Sequence, residues 1–371
     1  MRVAHVSTFP PTQCGIAVFA QDLIDNLSGI DSLRFRLFYG QDYSDGFEGH
    51  VNHSSREQFE ELGAIINASA VDVVDLQHEF GIWGGAEGEH LIPFLRRCEK
   101  PIVSTVHTPR GRTRTQNEML KLLCERSARI VVLTEQSRTR IGSLVPSCQD
   151  KVSVIRHGVP NILFVPAKDQ RKDVIRFISP GFFRPDKGLE DILDAFCALK
   201  DSGLPFEYHI VGNPQQQFEG QIQYHDHIQR LIRNRALEDR IEIRIGFWDR
   251  ADLIRQIQSA ECGVIGYTDL SHSSSGIVPL ILACGRPVVS TPFEYSRETA
   301  TRTSGLFLTS GVNAQAFYES IKSVIANWES MKAIMPLIHR GAEEWIWPSV
   351  ARQYLRVLKA ASVGDLAVLE E

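Results

Sequence analysis

The feature that most constrains the fold is a series of short apolar segments, rich in β-branched residues, that recurs twice along the chain. The segments of the first series are Val3–Ser7, Val71–Gln77, Ile102–His107, Ile130–Thr134 and Val152–Ile155. They are mostly apolar, which favours strands of a parallel sheet that is covered on both faces.

The second series follows a looser, charged stretch between Asn161 and Asp173. Its strand candidates are Val174–Ser179, Tyr208–Val211, Ile241–Ile245, Gly263–Tyr267, Pro287–Ser290 and Gly305–Leu308. Amphipathic helices are predicted at Gly15–Leu27, Leu189–Leu199, Ile222–Arg233 and Val350–Ala360. The pattern predicts an α/β chain with two doubly wound, Rossmann-like domains that face a central cleft. We expect the domains at residues 1–163 and 164–346, with a C-terminal helix in 347–371 that crosses back to the first domain.

Composition excludes several classes of protein. The 371 residues carry a formal net charge of −5, which gives no global signal for a nucleic-acid partner. No run approaches the ~18 apolar residues of a membrane span, and the first residues read as a strand instead of a signal peptide. The seven scattered cysteines lack metal-site spacing and suit a reducing compartment. We therefore expect a cytoplasmic protein without a metal site.

A glycine turn in the second series carries two cations. After the strand that ends at Ser179, the chain reads Pro-Gly-Phe-Phe-Arg184-Pro-Asp-Lys187-Gly188, and a helix is predicted to begin near Gly188. The N-terminus of a helix attracts anions, and Arg184 and Lys187 would add a diphosphate clamp. The local pattern also fits an exposed turn whose cations are solvated.

Three further segments lie where predicted strands end. Gly15 closes a turn after the first strand, without the glycine fingerprint of a dinucleotide site or a phosphate loop. His107 ends the third apolar segment, and His78 follows the second. Ser274, Ser275 and Gly276 lead from a strand into an apolar helix and could offer hydroxyl and N–H groups to a ligand. Each segment alone also fits a structural role: an ordinary turn, a buried hydrogen bond or a helix cap.

Taken together, these segments resemble the retaining glycosyltransferases of family 4, which share the GT-B fold. The resemblance runs over nearly the whole chain. It is carried by Gly15, His107, His157-Gly158-Val159, Arg184 with Lys187-Gly188, Ile210-Val211-Gly212, Ala260-Glu261, Ala283-Cys284-Gly285-Arg286-Pro287-Val288-Val289, Glu298 and the strand at Gly305. Within the family, Gln77-His78-Glu79-Phe-Gly-Ile and Ser274-Ser275-Gly276 resemble a mannosyltransferase-like subgroup.

The resemblance implies a role for each matching position. His107 would contact the transferred sugar, and Arg184 and Lys187 would neutralise the diphosphate of a GDP- or UDP-sugar, with no other cofactor required. The remaining donor-binding positions implied are Gly15, Gly212, Gly246, Phe247, His272, Ser274, Ser275 and Gly276. The acceptor would be a saccharide or a lipid-linked saccharide.

Two positions depart from the family pattern. Phe182 stands where the family often has arginine, and the family's pair of glutamates falls at His272 and Leu280. Leu280 cannot accept a hydrogen bond from a ribose. These departures leave open a catalytically silent nucleotide-sugar-binding protein, and a GT-B epimerase or phosphorylase is a further alternative.

A basic segment of the first domain leaves a membrane contact open. Its cations are Arg96, Arg97, Arg110, Arg112, Arg114 and Lys121. They could lie against the anionic inner face of a membrane. They could equally be the solvated face of a helix.

Overall fold

The computed structural model describes residues 1–38, 47–167, 174–213, 219–246 and 248–364. The chain divides into two compact units. The first comprises Met1–Gly158 and the C-terminal segment that begins at Trp347, and the second is Val159–Ile346.

The first unit is built on a parallel sheet of seven strands in the order β3-β2-β1-β4-β5-β6-β7. The strands are β1 Arg2–Ser7, β2 Asp31–Phe38, β3 Gly49–Asn52, β4 Val73–His78, β5 Ile102–Val106, β6 Ser127–Val132 and β7 Val152–Val154. The helices are α1 Gly15–Asn26, α2 Arg56–Ala68, α3 Leu91–Arg97, α4 Arg114–Arg126 and α5 Glu135–Leu144. Strands β4 and β5 are buried along their whole length, although each contains polar residues, such as Asp75 in β4 and Ser104 in β5.

The second unit has a parallel sheet of six strands in the order β10-β9-β8-β11-β12-β13. The strands are β8 Ile175–Pro180, β9 Phe206–Gly212, β10 Ile241–Ile245, β11 Cys262–Ile265, β12 Val288–Ser290 and β13 Leu306–Leu308. The helices are α6 Leu189–Asp201, α7 Glu219–Asn234, α8 Arg250–Gln258, α9 Ile277–Ala283, α10 Glu294–Ala300, α11 Ala314–Ala326 and α12 Trp328–Gly341.

The last helix, α13 Trp347–Val363, belongs to the first unit. The indole of Trp347 meets the ring of Phe19 edge-on at 5.2 Å. The hydroxyl of Thr105 on β5 donates to the Tyr354 hydroxyl at 3.3 Å. The C-terminal helix therefore packs on the sheet that the N-terminal residues form.

Strand order identifies the edge of each sheet where a ligand is expected. In the first sheet the order reverses between β1 and β4, and in the second between β8 and β11. Open parallel sheets bind ligands at the carboxyl ends of the strands beside such a reversal, because the two connecting segments diverge there and leave a crevice. The residues that follow β1, β4, β8 and β11 are therefore the first to inspect.

The sequence series did not include β2 and β3. The β2 segment alternates Leu33, Phe35 and Leu37 with charged residues, so it lacks the unbroken apolar run of its neighbours. One of those charges, Arg36, is nevertheless buried, because its guanidinium lies 3.9 Å from the centre of the Phe47 ring and donates to the Pro10 carbonyl. The period-two alternation was the signal that could have identified this strand.

Candidate functional site

Glycines end three adjacent strands of the second sheet. Gly181 follows β8, Gly212 ends β9 and Gly246 follows β10. The Gly181 N–H donates to the Val211 carbonyl at 2.9 Å, and the Gly246 N–H donates to the Gly212 carbonyl at 2.9 Å. A Cβ at Gly212 would overlap the carbonyl oxygen of Gly181, so only glycine allows this close approach. Phe247, the predicted neighbour of the base, lies outside the described residues.

A small pocket opens between the ends of β8 and β11, at the reversal of the strand order. Gly181, Lys187, Gly266, Tyr267 and Ile277 contribute to its wall. A Cβ placed on Gly181 would lie 4.0 Å from the Lys187 ammonium nitrogen. The lysine thus lies beside a half-buried glycine that carries no side chain, an arrangement suited to an anionic group.

The Lys187 ammonium is held by Tyr267, the residue two positions beyond β11. Its Nζ donates to the Tyr267 hydroxyl at 2.5 Å and lies 3.8 Å from the centre of the Tyr267 ring. Gly188 follows in the left-handed conformation with φ of 58°, where a Cβ would overlap the Gly266 carbonyl oxygen. Lys187 is therefore fixed by Tyr267, in the segment that follows β11, and is not simply solvated.

Arg184 has a different environment. Its Nε and Nη2 donate to the two carboxylate oxygens of Asp186, each at 2.8 Å, and its side chain is 48% exposed. A bidentate pair of this kind occupies the face of the guanidinium that would otherwise grip a phosphate. The two cations of the sequence motif are therefore not equivalent.

His272 stacks on the tyrosine that holds Lys187. The two rings are 4.4 Å apart between centroids and inclined by 23°. Burial lowers the pKa of His272 to about 4, and the nearby positive charge of Lys187 acts in the same direction. At neutral pH this imidazole is uncharged. Lys187, Tyr267 and His272, which we call the lysine cluster, thus combine one cation with two stacked rings.

The serine loop divides between helix capping and open hydroxyl groups. Ser275 Oγ accepts from the Val278 N–H at 3.3 Å and so caps α9. Ser274 makes no hydrogen bond within the part of the chain that the structure describes. Gly276 directly precedes α9, and Leu280 is buried within it. The serine-cap interpretation therefore accounts for Ser275 and leaves Ser274 as the open hydroxyl.

In the first unit, three consecutive residues at the end of β4 contact His107 and its neighbour Thr108. Gln77 Oε1 lies 3.0 Å from His107 Nε2, and the His78 carbonyl accepts from the His107 N–H at 3.0 Å. Glu79 Oε2 accepts from the Thr108 hydroxyl at 2.5 Å. The Gln77-His78-Glu79 motif thus positions the end of β5.

Burial keeps both strand-end histidines neutral. Desolvation lowers the pKa of His78 and of His107 to about 3, and the neighbouring His157 and His78 further disfavour a charge on His107. The His107 ring meets Phe19 edge-on at 4.9 Å. At neutral pH neither side chain acts as a cation.

Gly15 is the first residue of α1, and its helix is capped by the preceding Cys14, whose Sγ accepts from the Ala17 N–H at 3.3 Å. A Cβ on Gly15 would meet nothing within 4 Å. The fold itself therefore does not demand glycine at this position.

The basic segment of the first unit is dispersed. Arg96 and Arg97 lie in the last turn of α3, while Arg114 donates to Glu118 one helical turn away on α4 at 2.7 Å. No helix in the described ranges combines the length and the apolar character needed to cross a bilayer.

Two side chains of the site were not singled out by sequence reasoning. Tyr267 entered only as the end of a predicted strand, yet it contacts both Lys187 and His272. Gln77 entered as a strand-end residue and as part of the Gln77-His78-Glu79 motif, without a role of its own, yet it is the partner of His107. For both, the signal available in the sequence was a polar group at the carboxyl end of a strand beside the reversal of sheet order.

Comparison with known protein families gives a match over part of the chain. Residues 162–336 match the model of the family described as glycosyl transferases group 1, so the match covers most of the second unit, including the lysine cluster. No curated protein sequence matches the chain.

Solved structures show similarity over almost the whole chain. Sucrose-phosphate synthase from Thermosynechococcus elongatus superposes with a TM-score of 0.82 at 15% identity, covering 98% of this chain and 100% of that one. HepE of Anabaena in complex with UDP superposes with a TM-score of 0.76 at 15% identity, covering 97% of this chain and 100% of that one. A UDP-forming trehalose-phosphate synthase from Burkholderia xenovorans in complex with glucose-6-phosphate superposes with a TM-score of 0.70 at 12% identity, covering 97% of this chain and 100% of that one. The predicted α/β GT-B fold is confirmed.

Proposed function

We propose that this chain is a glycosyltransferase that transfers a sugar from a nucleotide diphosphate donor, with retention of configuration, to a hydroxyl of a saccharide or lipid-linked acceptor. The observation that carries the proposal is the lysine cluster, in which a fixed ammonium lies beside the Gly181 turn at the reversal of the second sheet. The match of residues 162–336 to group 1 glycosyl transferases supports it.

In this proposal Lys187 stabilises the leaving group. As the bond between the anomeric carbon and the diphosphate lengthens, negative charge grows on the phosphate oxygens. A cation already oriented by Tyr267 stabilises that charge without reorganising during the reaction. The departing phosphate can accept the proton of the acceptor hydroxyl as that hydroxyl attacks from the same face. His107, neutral at physiological pH, contacts the transferred sugar through a hydrogen bond.

A donor screen tests this proposal. UDP bound to HepE makes UDP-sugars the first candidates, and the resemblance to a mannosyltransferase-like subgroup makes GDP-mannose the second. A donor that binds the folded protein raises its melting temperature by mass action. We expect one nucleotide sugar to do so at micromolar to millimolar concentration and to release its nucleoside diphosphate when an acceptor is supplied. Absence of release with every donor and acceptor tried would contradict the proposal.

The variant Gly15→Ala distinguishes an effect of residue 15 on stability from an effect on donor binding. Because a Cβ fits there without contact, the variant should fold at least as well as wild type, with a gain of up to about 1 kcal/mol from the helix propensity of alanine. If donor phosphate or sugar lies against this backbone, the added methyl should weaken donor affinity by about tenfold. Differential scanning fluorimetry and donor titration measure the two effects. Unchanged affinity would remove Gly15 from the donor site.

A silent nucleotide-sugar-binding protein is the second candidate. It is favoured by Leu280, whose buried side chain stands where the family has a carboxylate. Binding of a donor without turnover in the presence of any acceptor, and equal affinity for the free nucleoside diphosphate, would favour it. An epimerase or phosphorylase would instead break down the donor without an acceptor, or would require inorganic phosphate.

A further inference from the structure

A buried polar network runs through the interior of the first sheet and ends on His107. The Ser32 hydroxyl lies 3.2 Å from His5 Nε2, and His5 Nδ1 lies 2.8 Å from one carboxylate oxygen of Asp75. Gln77 Nε2 donates to the other carboxylate oxygen at 3.0 Å. Gln77 Oε1 lies 3.0 Å from His107 Nε2. Except for Ser32, every side chain of this network is at most 3% exposed.

Asp75 decides the orientation of the amide and therefore the tautomer of the histidine. A carboxylate only accepts hydrogen bonds, so the amide group that faces Asp75 must be the NH2 of Gln77. The oxygen of the same amide then faces His107, and an amide oxygen also only accepts. His107 must therefore carry its proton on Nε2, and Nδ1 carries the lone pair.

The backbone of Gln77 is fixed independently of this network. The buried indole of Trp83 donates to the Gln77 carbonyl at 3.1 Å. The Gln77 side chain also lies 3.5 Å from the Thr105 hydroxyl on β5. The main chain of Gln77 and both ends of its amide are therefore held by hydrogen bonds. Leaving buried polar groups unsatisfied costs about 1–3 kcal/mol each.

We propose that Gln77 is a positioning residue that fixes His107 as the Nε2-protonated tautomer, in which Nδ1 is the acceptor nitrogen of the ring. The tautomer follows from the network alone, and its use in catalysis rests on the proposed function. This tautomer restricts the group that meets Nδ1 to a hydrogen-bond donor. A hydroxyl fulfils that requirement, whereas a phosphate oxygen or a carbonyl does not.

Nitrogen-15 NMR of the full-length protein labelled at histidine tests the tautomer without any ligand. The His107 signals are assigned by their absence from His107→Asn. We expect Nε2 of wild-type His107 to be protonated and Nδ1 to show the shift of an unprotonated ring nitrogen. Gln77→Met retains the length of the side chain and removes the amide, and should give shifts averaged between the two tautomers. Ser32→Ala, at the far end of the network, should leave the His107 signals unchanged.

Three results would overturn the inference. They are a proton on Nδ1 in the wild type, an unchanged tautomer in folded Gln77→Met, or a change in the His107 signals of Ser32→Ala as large as that in Gln77→Met. If Gln77→Met does not fold, the wild-type spectrum alone still shows which ring nitrogen of His107 carries the proton.

Turnover provides a second, separate measurement. Gln77→Met should lower kcat by about 10- to 100-fold with a smaller change in KM, as expected when a positioning contact to a reacting group is lost. A wild-type protein that shows the expected tautomer but turns over no donor would contradict the proposed function and leave the tautomer assignment standing. A tautomer opposite to that expected, in a protein that turns over its donor, would contradict only the role of Gln77.

Discussion

Lys187→Ala is expected to lower the rate of nucleoside diphosphate release by about 100- to 1000-fold, the loss typical when one preorganised donor to a developing anion is removed. The physical reason is the position of the ammonium. It is held by the Tyr267 hydroxyl and ring beside Gly181, which has no side chain. Steady-state kinetics with the donor found by thermal shift measures the effect.

Arg184→Ala provides the matched comparison within the same turn. The Arg184 guanidinium is already paired with both oxygens of Asp186, and about half of its side chain is in water. Removing the Arg184 side chain should therefore lower the rate of nucleoside diphosphate release by about tenfold or less. A larger loss for Arg184→Ala than for Lys187→Ala would show that the Asp186 pair opens on binding and that Arg184 is the principal phosphate contact. Lys187→Arg should restore part of the activity, because the charge remains while the contact geometry changes.

The fold was largely accessible from the sequence because its signals are local and repeated. Mostly apolar runs identified β4, β5 and β6. Strand β2 was missed because its apolar residues alternate with charged ones, and one of these, Arg36, is buried through a tertiary contact with Phe47. No local pattern in residues 31–38 reveals that a charged side chain will be covered by an aromatic ring.

The site was accessible only in part, for the same reason. Sequence spacing presented Arg184 and Lys187 as equivalent cations three residues apart. What distinguishes them is partly local, the Asp186 pair, and partly distant, since Tyr267 is 80 residues further along the chain. Likewise the importance of Gln77 follows from its contact with His107, 30 residues away, once β4 and β5 are adjacent in the sheet.

Similarity to a family does not distinguish residues that bind a ligand from residues that hold the fold. Gly285-Arg286-Pro287 contributed to the resemblance, yet Arg286 is fully buried. Its guanidinium donates to four main-chain carbonyls, those of Val165, Gln258, Ala260 and Cys284. Two of them belong to the end of α8 and the residues after it, where the helix dipole favours a positive charge. Arg286 thus joins α8, the start of the second unit and the segment after α9.

Arg286→Met is consequently expected to destabilise the protein by about 3–5 kcal/mol, because the methionine fills similar space and leaves four buried carbonyls without their donor. For a unit of this size that corresponds to a melting temperature lower by about 10 °C. Thermal unfolding followed by circular dichroism measures the shift. Arg255→Met is the control, since Arg255 is 66% exposed and its side chain pairs with Asp252 on the surface of α8, a contact worth less than about 1 kcal/mol. Equal melting temperatures for the two variants would contradict a structural role for Arg286. If Arg286→Met also bound the donor more weakly at unchanged stability, this buried arginine would instead belong to the ligand site.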